Sequence, residues 1–170
     1  SVVDYNLSIL EREGLIRRDP EVSRGIEVLN GSGIDGNSLR VPLLGLIAAG
    51  NPIPVPTEES WAFSETIELP ALFLNAGQNL YALRVKGLSM IDALVADGDV
   101  VIVDGKSALQ DGDMVVAWLK ADNEVTLKKM YVEENRVRLQ PANPLMEPIF
   151  VAYDSLDVQG KVVGVLRNIV

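Results

Sequence analysis

The sequence predicts a mainly β domain downstream of residue 40 and a small helical segment upstream of it. Three observations carry that prediction. From Arg40 onward the apolar residues fall in short β-type runs, each bounded by turn residues. No run in that region keeps a helical period over a useful length. Between the two regions, residues 30–38 (NGSGIDGNS) are rich in Gly, Asn and Ser and nearly free of large apolar groups, the composition of a linker. The expected organisation is a small unit over 1–29, a flexible linker over 30–40 and a β-rich domain over 41–170.

Residues 1–14 (SVVDYNLSILEREG) read as a helix. Val2, Val3, Leu7 and Leu10 share one face, and Gly14 stands where a left-handed C-terminal cap belongs. LIRR (15–18), the turn-like DPEVSR (19–24) and GIEVL (25–29) then read as strand, turn and strand. The β-type runs that follow are VPLLGLI (41–47), ETIEL (65–69), YALRV (81–85), DVVIVD (99–104) and DMVVAWL (113–119). NEVTLKKMYV (123–132), RVRLQ (136–140) and VQGKVVGVLRN (158–168) complete the series. Asp97-Gly98-Asp99 and Asp111-Gly112-Asp113 mark turns, and a short helical turn fits residues 90–95. There is no internal repeat and no low-complexity tract.

Composition removes whole classes of chemistry. The chain has 170 residues, 48% of them apolar, enough to bury a real core. It has no cysteine, which excludes disulfides, zinc-cysteine sites and a thiol nucleophile. It has no histidine, which excludes Ser-His-Asp chemistry and most zinc enzymes. No metal and no cofactor is expected. Any nucleophilic catalysis must rely on another base, and lysine is the main candidate. Fifteen basic against 24 acidic side chains give a net charge of −9, which opposes nucleic-acid binding by the chain as a whole without excluding a locally basic surface. No stretch approaches the ~20 apolar residues that cross a bilayer. Asp4 and Glu11 break any apolar N-terminal run, so no signal peptide is read there. A soluble, cytoplasmic protein without membrane contact is the expectation.

Three segments invite a chemical reading, and each also has a plain structural one. In VKGLSMIDALVADGD (85–99), Ser89 follows a strand and a glycine, a place for an exposed nucleophile and equally for a serine that caps a helical turn. In NEVTLKKMY (123–131), alternation puts Thr126, Lys128 and Met130 on one face and Val125, Leu127 and Lys129 on the other. Lysine on a strand is usually solvated. Periodicity leaves open which of the two points inward and mildly favours Lys129, whose face is the more apolar. In LLGLIAAGNPIPVP (43–56), small residues at Ala48, Ala49 and Gly50 leave an unhindered peptide, and Pro52, Pro54 and Pro56 keep the segment extended. That suits a cleavage segment as well as a strand running out into a loop.

In this order, AAG, GLSM and EVTLK, with about forty residues from one to the next, resemble the LexA family of self-cleaving repressors. GVLRN (164–168) is similar to that family's end, and LIRRDPEVSRGIEVL (15–29) to the wing of its DNA-binding domain. The resemblance implies a mainly β C-terminal catalytic and dimerisation domain with a partial, truncated winged helix-turn-helix at the N-terminus. It implies cleavage between Ala49 and Gly50, with Ser89 as nucleophile and Lys128 as base. The family's lysine follows the tetrad Glu124 to Leu127, which resolves the choice between the two lysines. Backbone N–H groups at Leu88 and Ser89 are then expected to hold the oxyanion. The implied partners are operator DNA, a RecA filament on single-stranded DNA, and a second copy in a homodimer. Ser1 falls within what would be the family's third, DNA-reading helix, so operator binding is expected to need the two helices before it. On that reading Ser1, Val2, Asp4 and Tyr5 lie near the groove, and Arg17, Arg18 and Arg24 meet phosphates.

Rival readings differ in testable ways. A signal-peptidase-like Ser/Lys enzyme would need a membrane anchor. A polymerase accessory subunit of the UmuD type lacks a winged helix, which residues 1–29 argue against. A non-cleaving repressor, from a different functional class, would use the β domain only to dimerise or sense a ligand.

Overall fold

Short runs of β-branched and large apolar residues satisfy their backbone and bury their side chains by pairing into sheets. Most of this chain takes that form. The computed structural model describes residues 2–12, 16–18, 25–28, 38–47, 65–70, 72–73 and 79–169. The chain divides into two units, Ser1–Arg40 with Glu68–Ala71, and Val41–Ile67 with Leu72–Val170.

The first unit holds helix α1 (Val2–Arg12) and the antiparallel pair β1 (Ile16–Arg18) and β2 (Ile26–Val28), with Arg17 opposite Glu27. Asp4 in the first turn and Arg12 in the last complement the helix dipole. Arg18 ties β1 to the helix through an ion pair with Glu11 at 2.8 Å and a hydrogen bond to the Ser8 hydroxyl at 3.1 Å. Of the expected apolar face, Leu7 is half-buried whereas Val3 and Leu10 are exposed, and Gly14 lies outside the described residues.

The remaining strands are β3 (Ser38–Ile47), β4 (Glu65–Pro70), β5 (Leu80–Val85), β6 (Val100–Asp104), β7 (Met114–Leu119), β8 (Glu124–Glu133), β9 (Arg136–Gln140), β10 (Ile149–Val151) and β11 (Leu156–Leu166). They lie in the order β10-β9-β8-β7-β11-β6-β5-β3-β4. β3 runs parallel to β5, with Leu43 opposite Ala82, and the pairings from β5 through to β10 are antiparallel. β10 is not among the strands expected from the sequence, because its three residues follow a proline-punctuated loop and, among the described residues, pair only with β9.

β11 is shared. Its first half pairs with β7 and its second with β6, with register shifts at Val158/Gly160 and Val162/Gly164. Such bulges bend a strand and let it serve two parts of a curved sheet. Gly160 is required at the first, since a Cβ there would stand 2.5 Å from Val103 Cγ1 and 2.8 Å from the Asp104 carbonyl oxygen. Tyr81 braces the same bend by donating its hydroxyl to the Gln159 carbonyl at 2.8 Å, and burial pushes its phenol pKa up.

Among the described residues, two apolar clusters pack against the sheet. One centres on Leu83, Val101, Val103, Val116 and Leu127, the other on Val115, Ala117, Val137 and Leu139. Each fully buried Val or Leu contributes ~1.5–3 kcal/mol relative to exposure. This packing makes β5 a rigid support for the loop at its C-terminal end, and β8 a rigid support for the side chains it carries.

Candidate active site

The loop after β5 is shaped by its own backbone and by two aspartates. The Val85 N–H donates to the Asp99 carbonyl at 2.7 Å and Gly98 returns a bond to Val85, closing the loop at its base. Gly87 has φ 101, a conformation that favours glycine, and its N–H donates to the Asp97 carboxylate at 2.7 Å. The chain then turns through Leu88 and Ser89 into a 3-10 turn (Ile91–Ala93), with Met90 and Val95 buried as anchors. Ser89 is left half-buried at the turn. Asp99 is buried beneath this loop. It accepts from the Ala96 N–H and from two nitrogens of Arg167, whose remaining bond goes to the Leu94 carbonyl.

The other half of the site comes from β8. Lys128 sits opposite Val115 of β7 and is 7% exposed. Its Nζ lies 3.1 Å from Ser89 Oγ, 2.6 Å from Thr126 Oγ1 and 3.1 Å from the Leu127 carbonyl oxygen. Desolvation lowers the Lys128 pKa, with the charge of Glu124 opposing it. An ammonium has three protons for these three oxygens. A neutral amine has two, for Thr126 and Leu127, and a lone pair left to accept the Ser89 proton. The arrangement therefore holds a hydroxyl against a nitrogen that changes from donor to acceptor on losing one proton.

The preference that periodicity gives to Lys129 is corrected here. Lys129 is half-buried opposite Met114 and Gln140, whereas Lys128 meets Ser89. Both faces of β8 are buried from Val125 to Lys128, so apolar content does not mark the face that meets Ser89.

Three further residues organise the site. Thr126 stands two residues before Lys128 on the same face, a spacing visible in the sequence. Asn143, in the loop after β9, donates to the Leu88 carbonyl at 3.0 Å. Arg167 grips the base of the serine loop. Neither Asn143 nor Arg167 has a local signature that links it to Ser89.

Residues 42–163, spanning almost all of the second unit's strands, match the family model described as peptidase S24-like. The chain belongs to this family. Several relatives that match nearly the whole chain carry one name. It is 47% identical to the LexA repressor of Herpetosiphon aurantiacus over 174 residues, covering 99% of this chain and 81% of that protein. It is 49% identical to the LexA repressor of Roseiflexus sp. over 173 residues, covering 99% and 79%. The LexA repressor of Clostridium novyi is 38% identical over 168 residues, with 99% and 79% covered. The chain is thus a LexA-type member of the peptidase S24-like family, with a serine-peptidase type of domain.

Other residues singled out in the sequence fall elsewhere. Ala49, Gly50, Ser1, Arg24 and linker residues 30–37 lie outside the described residues, as does the side chain of Val2. Asp4, Tyr5 and Arg17 are exposed on the first unit, and Arg18 is engaged by Glu11 and Ser8. No helix among the described residues is long and apolar enough to cross a membrane.

Proposed function

We propose that this LexA-type chain is a transcriptional repressor of the DNA-damage response that inactivates itself by cutting its backbone between Ala49 and Gly50. The observation that carries the reading is a buried lysine amine 3.1 Å from a serine hydroxyl, in a sequence of 170 residues that offers no histidine as an alternative base. A serine hydroxyl is a poor nucleophile until a base takes its proton. A solvated lysine is neutral on the order of one part in a thousand at pH 7, because its pKa is about 10.4. Burial raises that fraction.

The step balances as an acyl transfer. Lys128 Nζ accepts the Ser89 proton as Oγ attacks the Ala49 carbonyl carbon, giving a tetrahedral oxyanion that the N–H groups of Leu88 and Ser89 hold. The carbon–nitrogen bond breaks, the Gly50 nitrogen takes the proton from Lys128, and Ala49 remains as an ester on Ser89. Water, deprotonated by the same amine, then hydrolyses the ester and restores the serine.

Residues 43–50 deliver the substrate, and docking them over the dyad also strips water from the amine. A partner that binds the docked form better raises its population by its differential affinity. The family resemblance makes that partner a RecA filament on single-stranded DNA. The first unit, with its helix and two-stranded ribbon, is read as part of a winged helix-turn-helix that meets operator DNA. The β domain is read as the dimer-forming part. Cleavage at Ala49–Gly50, just downstream of β3 and near the upstream end of the β domain, would sever the chain that joins DNA contact to dimerisation, and with it the gain from binding two half-sites.

The direct test is to incubate the purified chain at alkaline pH and weigh the products. Fragments ending at Ala49 and beginning at Gly50 are expected, with Ser89→Ala and Lys128→Ala both intact. An intact parent chain would favour a non-cleaving repressor, and normal scission in either variant would remove that residue from the mechanism.

A further inference from the structure

We propose that Asn143 is a positioning residue for the oxyanion site: its side-chain amide fixes the Leu88–Ser89 peptide so that the Ser89 N–H faces the oxygen of the bond being cut. The inference rests on the Ser89/Lys128 dyad proposed for self-cleavage. A peptide group is planar, with its C=O and N–H pointing in opposite directions. Whatever holds the Leu88 carbonyl therefore also aims the Ser89 N–H. Asn143 Nδ2 donates to that carbonyl at 3.0 Å, while its Oδ1 accepts from the Leu145 N–H at 2.9 Å. Both ends of the amide are thus engaged. A flipped amide would set oxygen against oxygen and N–H against N–H, so the network decides its orientation.

The Leu88 carbonyl has a second donor, the Ile91 N–H at 3.3 Å, but that bond belongs to the serine turn and moves with it. Asn143 comes from a different part of the chain. Its loop leaves β9, which pairs with β8 through Gln140 opposite Lys129, next to the lysine of the dyad. The loop is stitched to the serine turn by the Asp92 N–H to the Ala142 carbonyl at 2.8 Å and by the Ala142 N–H to Met90 Sδ at 3.4 Å. Through the sheet, Ser89 and Lys128 are separated by β6, β11 and β7. This loop is a direct brace between the two halves of the site, and Asn143 applies it to the peptide next to the nucleophile.

The test compares Asn143→Ala and Asn143→Asp in the full chain, following self-cleavage across the alkaline range. Aspartate keeps an oxygen for the Leu145 N–H and loses the donor to Leu88. Because the Ile91 bond remains, the expected loss is about tenfold in plateau rate for both variants, short of the ~10²–10³ that accompanies outright loss of an oxyanion donor. In Asn143→Ala the midpoint of the rate–pH curve should stay where it is in the parent, since the surroundings of the Lys128 amine are unchanged. A parental rate in either variant overturns the proposal. So does a shifted midpoint in Asn143→Ala, or a loss of rate that only tracks a collapse in thermal stability. Ser89→Ala and Lys128→Ala run alongside. If either of those cleaves, the dyad reading fails on its own account; if both are inert and Asn143→Ala cleaves normally, only the role of Asn143 falls.

Discussion

Arg167 holds Asp99 from 68 positions further along the chain, with Nε and Nη2 each 2.7 Å from a carboxylate oxygen. Asp99 is 3% exposed, and its carboxylate also accepts the Ala96 N–H under the loop that presents Ser89. A bidentate pair of this kind fixes geometry as well as charge. It ties the end of β11 to the serine loop.

The Arg167 hydrogen bonds lower the Asp99 pKa, with burial opposing and the Ala96 N–H assisting. A carboxyl lowered on folding stabilises the native state above its unfolded pKa of about 3.9, and that contribution disappears as pH falls through the native value. Asp99→Asn is expected to unfold a few degrees below the parent at pH 7, with the gap narrowing below about pH 4. Thermal unfolding at pH 7 and pH 3 measures it. An equal gap at both values would assign the effect to packing instead of the ion pair.

Self-cleavage without any partner is expected to accelerate close to tenfold per pH unit above neutrality, then level off below the free-lysine value of about 10.4 because desolvation lowers the Lys128 pKa. Linkage gives a second readout in the uncleavable Ser89→Ala background. Between the native and unfolded lysine values the unfolded chain binds more protons, so stability rises with pH in that window. The stability difference between this background and the same chain with Lys128→Met should move in favour of lysine from neutral pH upward. A flat rate profile would remove lysine as the base.

Thr126 accepts from the Lys128 amine at 2.6 Å. Removing that acceptor in Thr126→Val withdraws support from the ammonium, which lowers the amine pKa, and frees the amine to turn away from Ser89. The rate–pH curve should shift to lower pH while its plateau drops about tenfold or more, and Thr126→Ser should restore both. A plateau unchanged in Thr126→Val would show that Leu127 and Ser89 suffice to aim the nitrogen.

Gly160→Ala is expected to destabilise the sheet by roughly 1–3 kcal/mol, the usual range for overpacking. Its Cβ would meet the Asp104 backbone, which cannot step aside as a flexible side chain can. Chemical denaturation measures the change, and a stability equal to the parent's would mean that the β11 bend relaxes at little cost.

Local pattern is enough to read β6, β7 and β8, because each is an apolar run fenced by Asp-Gly or Asn turns. It is enough to suggest a helical turn after Ser89. It fails at β10, three residues long between Pro148 and Ala152, where edge pairing outweighs any propensity. Alternation fails to choose between Lys128 and Lys129, since it assumes one wet face and β8 has none at that level. The same limit hides Asn143 and Arg167. They meet the serine loop across 55 and 68 residues, and their bonds go to a backbone carbonyl and to a buried carboxylate that no nearby residue announces.

The place of β3 bears on what scission would accomplish. Its last described residue, Ile47, precedes the Ala49–Gly50 bond, while β5 to β11 all lie beyond it. β3 is hydrogen-bonded to β5, with Val41 and Ile47 buried. Hydrolysis would remove its covalent leash and leave its ladder in place. The upstream fragment would stay docked until that strand peels off, so breaking the bond and parting company become two events, each with its own clock. A denaturing gel times the first, and a native mass measurement times the second.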